Sequence, residues 1–354
     1  MDLEKSRQER MMIRMKPLSN LQHGEAAWLF PSLASMQPNG TSWRAAISGM
    51  VFRDGRLTLG KKLILGILRR AMRASREDFE SELFRERVRG FLADASKGKR
   101  LALRIGDSVY PLIRRTRRSG MFHEDLLLPD AVVRQSAEDS LVPVSLVAED
   151  GADFGPAGQI HLVPREGVSV ISDIDDTLKV TAVHERRSML VNTFLRQFAP
   201  IPRIGDVFRS WQELGATFHY VSSSPWQLYE SLARHFVETA LPSGSFHLRA
   251  FRLRDHMLRR IFLGRTPAKA GVIRGLLQRF PQRRFVLVGD SGEYDPEIYG
   301  SIARRFPHQV SSILIRRVPE QKLTPFRWQR AFRRLPTTLW RLFDEADEIA
   351  DAVR

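Results

Sequence analysis

The chain has 354 residues, 56 Lys and Arg against 40 Asp and Glu, and no cysteine. That length points to two domains or to one domain with a long extension. Zero cysteine excludes a disulfide framework, a Cys-ligated zinc and a thiol nucleophile. The formal net charge of +16 admits three kinds of partner: nucleic acid, an anionic membrane surface or a phosphate-bearing substrate. The excess is nearly all arginine, 47 Arg to nine Lys, and much of it reads as compositional background. Beyond Leu101 lysine occurs only at Lys179, Lys269 and Lys322, where a compact point charge stands out. No apolar run approaches 18 residues, and the first residues lack the apolar core of a secretory signal. The expected location is cytoplasmic, peripheral on a membrane at most.

In chain order, residues 1–40 are polar and without sustained period, and are expected to form an arm. Trp43 to Phe52 reads as a strand that turns at Asp54-Gly55. Lys61 to Leu92 has helical periodicity in two pieces, with Leu63, Ile67, Leu68 and Met72 on one face of the first. From Arg100 to Pro164 short apolar runs alternate with turn residues, and Leu101, Leu103 and Ile105 alternate as strands do. A β-rich accessory domain with a helical insertion is therefore expected over 41–163. From 164 to 354 apolar strands alternate with helical stretches, the pattern of an α/β domain with a parallel sheet.

Three of these strands run into polar residues. Val168–Ile171 leads to Asp173, Phe218–Val221 to Ser222, and Phe285–Val288 to Asp290. Ligands of open α/β sheets bind outside the carboxyl ends of the strands, so the three are expected to converge. In Asp173-Ile174-Asp175-Asp176-Thr177 a carboxylate at the strand tip and a second one two residues on can serve as nucleophile and proton donor. An acidic turn capping the next helix would look the same. Ser222, at a helix start, can hold a phosphoryl oxygen or merely act as an N-cap. Lys269 opens a helix and can offset charge on a reacting group. Asp290 and Asp295 flank a short loop, and such hard oxygen ligands suit Mg²⁺. Each piece alone is weak, but their order is hard to derive from core packing.

That order resembles the haloacid dehalogenase superfamily of aspartate-nucleophile phosphatases over roughly 165–318. The longer strings at 172–179, 220–229 and 289–299 resemble one branch, the actin-patch-protein-type phosphatidate phosphatases. Ser223 departs from that pattern. The resemblance implies a Rossmann-like haloacid dehalogenase-type parallel sheet with small caps. It implies Asp173 as nucleophile and Mg²⁺ ligand. It implies Asp175 as general acid/base that also gives its backbone carbonyl to the metal. Thr177 would brace the motif, Ser222 would bind the phosphoryl group, and Lys269 would bridge nucleophile and phosphate. Asp290 and Asp295 would complete the metal site. Ser223, Lys179 and Trp226 are further candidates for substrate contact.

The implied reaction is Mg²⁺-dependent hydrolysis of phosphatidic acid to diacylglycerol and phosphate through an aspartyl-phosphate. The segments between motifs are too short for a large capping domain, which is compatible with a bulky or interfacial substrate. Phe326, Trp328, Phe332 and Trp340 interleave with Arg327, Arg330, Arg333, Arg334 and Arg341. Such a segment can lie in a lipid interface, or can be an ordinary amphipathic helix packed on its domain. Arg252, Arg254, Arg259, Arg260 and Arg265 form a second basic cluster. Two other functions fit the same residues: a phosphomonoesterase on a nucleic-acid end, sugar phosphate or phosphoprotein, and a non-catalytic phospholipid-binding module. Oligomeric state is not legible.

Overall fold

The computed structural model describes residues 19–249, 266–319 and 325–353. Strand β1 (Glu25–Met36) lies inside the segment expected to be a polar arm, and corrects that expectation. Its register on the next strand shifts between Phe30 and Leu33, around Pro31, so the period of two is broken where the strand is most apolar. Strand β2 (Ser42–Arg53) pairs antiparallel with β1. A helical insertion follows: α1 (Leu59–Met72), α2 (Arg76–Glu80) and α3 (Glu82–Leu92), each with a Thr or Ser N-cap at Thr58, Ser75 and Ser81. Then come β3 (Asp94–Ala95), β4 (Ala102–Ile105), β5 (Ser108–Pro111), β6 (Met121–Pro129), α4 (Asp130–Ser136), β7 (Leu141–Val147) and β8 (Asp153–Val163). These strands form one eight-stranded sheet ordered β3-β2-β1-β8-β7-β4-β5, with β6 also on β2. Its pairings are antiparallel except β1 on β8. Ile47, Leu101, Leu103, Val142 and Ile160 fill its core.

The second sheet begins at β9 (Val168–Ser172). A small two-stranded ribbon, β10 (Lys179–Val180) with β11 (Ala199–Pro200), brackets α5 (Arg186–Phe194). The chain continues through α6 (Ile204–Glu213), β12 (Thr217–Pro225), α7 (Tyr229–Glu238) and β13 (Gly244–Arg249). After the gap come α8 (Thr266–Arg279), β14 (Arg284–Asp290), α9 (Asp295–Arg305), β15 (Val310–Arg316), α10 (Pro325–Ala331) and β16 (Trp340–Phe343). The order is β13-β12-β9-β14-β15-β16, every pair parallel. The first strand in sequence, β9, therefore sits centrally, and succession runs outward in both directions from it. The connections diverge between β9 and β14, which opens a crevice at the carboxyl ends of these two strands.

The two sheets share a core. Trp28, Phe30, Met50 and Phe52 pack with Trp226, Phe246 and Leu248, and Phe30 stacks on Trp226 at 3.6 Å between ring centres. The helical insertion also reaches the second sheet's periphery, where Leu68, Met72, Phe84 and Val88 pack on Met189, Leu190 and Phe194 of α5.

The C-terminal segment differs from expectation. Helix α10 ends at Ala331, and Trp340 opens the edge strand β16 on β15. Phe332 stacks between Trp328 (6.2 Å) and Trp340 (4.6 Å), and these rings pack on the domain. Only Phe326 of the four aromatics is exposed. Arg327 is bound to the Glu297 carboxylate and to the carbonyls of Ser291 and Glu293, so it braces a loop. The aromatics pack on the domain as the amphipathic-helix reading expects, but not as one helix, since the segment divides into α10 and the edge strand β16. Arg252, Arg254, Arg259, Arg260 and Arg265 lie outside the described residues.

Candidate active site

The crevice between β9 and β14 gathers residues that lie more than 100 positions apart in the chain. Asp173 follows β9 directly, and Asp290 is the last residue of β14. Asp295 opens α9, and Lys269 enters from the first turn of α8. All four side chains are buried. Lys269 Nζ donates to Asp173 Oδ1 at 2.8 Å and to Asp295 Oδ1 at 2.5 Å. Asp295 Oδ2 accepts from the Asp290 backbone N–H at 3.3 Å, which requires the backbone to come close. Gly289 makes that approach possible, because a Cβ there would lie 2.3 Å from Asp295 Oδ2. The loop beyond Asp290 folds back on it, and the N–H groups of Gly292 (2.5 Å) and Glu293 (3.0 Å) donate to Asp290 Oδ1.

This cluster is electrostatically incomplete. Three carboxyl groups face one ammonium, a formal excess of two negative charges when all are ionised, in a buried place. Burial raises the Asp173 carboxyl well above the usual range; Lys269 opposes this, while Asp295 adds to it. Burial and the neighbouring Asp295 and Asp173 do the same to Asp290. Lys269 loses solvation, yet Asp173 and Asp295 hold it well above an ordinary lysine. Asp173 Oδ2 and Asp290 Oδ2 are buried and accept no hydrogen bond. One oxygen each of Asp173, Asp290 and Asp295 lies within 4.8 Å of the others, a spacing able to hold a metal ion. Few, hard, carboxylate donors with two oxygens unsatisfied are compatible with a hard metal cation.

Asp175 belongs to a second, complete network. Its Oδ1 accepts from Lys179 Nζ (2.7 Å) and Thr181 Oγ1 (2.9 Å), its Oδ2 from Ser222 Oγ (2.8 Å) and Ser224 Oγ (2.7 Å). Burial alone would raise its carboxyl, but Lys179 and these hydroxyls outweigh it and hold the group below the usual carboxylate range. Its side chain is outside the three-carboxylate cluster. Lys179, expected as a substrate contact, is 2% exposed, paired with Asp175 and 4.5 Å from the centre of the Phe198 ring. Ser222 likewise donates to Asp175. Thr177, expected to brace the motif, is fully buried, and its Oγ1 makes no hydrogen bond. Ser223 lines a small cleft with Asp175, Ser224, Met189, Thr193 and Glu293. Trp226 is turned to Phe30 in the joint between the sheets and serves packing.

Three residues of this region carried no separate sequence signal. Asp176 adopts a left-handed backbone, φ 55°, and its carboxylate accepts from the N–H groups of Thr181 (2.7 Å), Ala182 (2.8 Å) and Val183 (2.7 Å). It thereby shapes the turn that brings Lys179 and Thr181 to Asp175. Ser224 was hidden inside a serine run. Glu293, half-buried, is lifted to about 7, by burial first, with Lys269 opposing and Asp295 and Asp175 adding to it. Its acidic neighbours Asp290 and Asp295 were the available hint.

Residues 168–317 match the family described as phosphatidate phosphatase APP1, catalytic domain. This segment belongs to the APP1 catalytic-domain family. The chain is 35% identical over 160 residues to Phosphatidate phosphatase APP1 of Saccharomyces cerevisiae, covering 44% of this chain and 27% of that protein. It is 34% identical over 195 residues to an uncharacterized protein of Schizosaccharomyces pombe, covering 53% of this chain and 30% of that protein. The chain thus spans less than a third of the length of these curated relatives. A solved β-glucuronidase of Parabacteroides merdae aligns with a TM-score of 0.25 at 8% identity, too distant to bear on the fold.

Proposed function

We propose that this chain is a Mg²⁺-dependent phosphatidate phosphatase of the haloacid dehalogenase type, releasing diacylglycerol and phosphate from phosphatidic acid. The observation that carries this reading is the buried Asp173–Asp290–Asp295–Lys269 cluster at the divergence point of a parallel sheet. It lies inside the segment that matches the APP1 catalytic domain. The strand order, with β9 central and Asp173 at its tip, supports the haloacid dehalogenase-type arrangement, with β10, β11 and α5 as a small cap. The first sheet and its helical insertion act as an accessory domain.

Asp173, Asp290 and Asp295 would hold the metal, which when bound supplies Lewis-acid neutralisation of phosphoryl charge. Asp173 is the nucleophile, through the carboxylate oxygen that it does not give to the metal; its Oδ1 accepts from Lys269 and its Oδ2 accepts no hydrogen bond. It bonds to phosphorus as the bond to the glycerol oxygen breaks, leaving an aspartyl-phosphate. Lys269 orients Asp173 and opposes the effect of burial on its carboxyl. Asp175 is held as a carboxylate, ready to take the proton of the water that hydrolyses the intermediate. In the first half-reaction it must carry a proton, whose uptake the arriving phosphate dianion favours, and it gives that proton to the glycerol oxygen as the phosphorus–oxygen bond breaks. Ser222 and Ser224 anchor Asp175 and release their hydroxyls to phosphoryl oxygens as it becomes protonated. The enzyme works peripherally on a cytoplasmic lipid surface; among the described residues no helix is long and apolar enough to cross a membrane.

The deciding measurement is phosphate release from dioleoyl-phosphatidate in detergent micelles and from 3′- or 5′-phosphorylated oligonucleotides, with and without EDTA. Fast, EDTA-sensitive release from the lipid is expected. Faster release from the oligonucleotides, or EDTA-resistant turnover, would overturn the reading.

A further inference from the structure

Helix α1 presents an apolar stripe to solvent. Leu59, Leu63 and Ile67, at four-residue spacing, are 86%, 64% and 43% exposed, and Leu57 just before the helix is 55% exposed. The opposite face carries Leu68 and Met72 into the core shared with α5. The helix therefore needs only its inner face for folding, and its outer leucines gain nothing from water. Lys62, Arg69, Arg70 and Arg73 flank the stripe and are exposed. From Gly55 to Arg76 the chain has seven basic residues and no acidic one. On the helix itself the ridge is flanked only by cations; around it, Leu57 shares a surface cavity with Asp54, Glu82 and Glu86, and Lys61 is paired with Asp94. The exposed ridge with Lys62, Arg69, Arg70 and Arg73 beside it complements an anionic bilayer surface: the ridge enters the acyl boundary and these cations meet the headgroups. The location adds weight. Arg187 of α5 donates to the Met72 carbonyl at 3.1 Å, and Met189 and Thr193 of that same α5 line the cleft containing Asp175.

We propose that α1 is an interfacial docking helix that seats the protein on anionic lipid surfaces beside the mouth of the active site. The inference takes its purpose from the lipid-substrate reading, and its test is separable from it. Vesicles of phosphatidylcholine alone, or mixed with phosphatidylglycerol, offer no phosphomonoester. Cosedimentation with them measures docking without turnover. Wild type should bind the mixed vesicles, weakly at high salt, and should not bind the neutral ones. The combined variant Leu59→Ser, Leu63→Ser, Ile67→Ser should bind about ten-fold more weakly or less. The variant Lys62→Glu, Arg70→Glu should lose binding likewise. Both should retain the wild-type melting temperature and hydrolysis of a water-soluble phosphomonoester, since none of these residues touches the site. Unaltered vesicle binding by the serine variant would overturn the proposal. So would equal binding of neutral and anionic vesicles by wild type, or a wild-type dimer that the serine variant dissociates. Failure of phosphatidate hydrolysis in micelles would leave this result standing, and the reverse also holds.

Discussion

The eight-stranded sheet buries Ile47, Leu101, Leu103, Val142 and Ile160, and the buried charges of its region, such as Arg87, Glu124 and the Glu25 side chain paired with Lys99, are scattered. The six-stranded sheet buries Asp173, Asp175, Asp176, Lys179, Lys269, Asp290 and Asp295 at the carboxyl ends of its strands. A buried charge costs free energy unless it is paired and hydrogen-bonded, so these two regions are built to different ends. The first gains stability from apolar area. The second forgoes part of it to hold charge where water is excluded. Within the second the difference recurs on a smaller scale. The Asp175 network satisfies every carboxylate oxygen, whereas Asp173 and Asp290 each keep one oxygen without a partner. Together with the clustering of three carboxyl groups, that incompleteness is what supports placing a ligand there in the proposed reading.

The contrast can be broken by substitutions on either side of it. Asp173→Asn should lower turnover by about 10⁴-fold or more, since removal of a nucleophile leaves only binding and positioning. Its far-ultraviolet circular dichroism and melting curve should stay near wild type; substantial phosphate release by the pure variant would rule out Asp173 as nucleophile. Lys269→Met should cost about 3–5 kcal/mol of folding stability, because it strands two buried carboxylates, and should also depress turnover. Urea denaturation in EDTA reads the first effect. A loss below 1 kcal/mol would mean that the cluster does not depend on its lysine, by the usual scale of exposed pairs. Ile47→Ala, in the apolar core of the other sheet, should cost about 2–5 kcal/mol while leaving turnover per folded molecule unchanged. A matching fall in turnover would show that the sheets act as one functional unit.

The smallest expected effect concerns pH. His219 is buried between Ser245 (2.8 Å) and Ser169 (3.3 Å) in the six-stranded sheet. Burial, with His247 and Arg283 nearby, holds it well below the ordinary histidine value of 6.5. The folded state then binds fewer protons than the unfolded state. Stability is complete above 6.5 and falls as the pH drops below it, by up to about 1.4 kcal/mol per unit for one group. Urea midpoints at pH 7.5 and 5.5 should therefore separate more for wild type than for His219→Gln. Equal separation would remove His219 from the acid response.

The alternation of strands and helices after residue 164 was legible because fully apolar strands such as Phe285–Val288 differ plainly from amphipathic helices such as α8. Strands β2, β4 and β7 were legible for the same kind of reason. Strand β1 was hidden by its Pro31 irregularity, and β16 by an Arg-aromatic spacing that also suits a helix. Asp173, Lys269 and Asp290 stood out by their places at strand and helix ends. The Lys179–Asp175 pair did not, since it depends on the left-handed turn at Asp176.

By itself the sequence determined the α/β character of the second half, the absence of thiol chemistry and the acidic residues at strand ends, because residue type and local period carry those facts. Tertiary structure alone decided which charges meet. It joined Asp173, Lys269, Asp290 and Asp295 in one excess of negative charge, placed Asp175 in a separate satisfied network and turned the C-terminal tryptophans inward. It also decided that Leu59, Leu63 and Ile67 face solvent while Leu68 and Met72 do not. Periodicity shows that a helix has apolar faces; only the packing of neighbouring elements determines which face is covered.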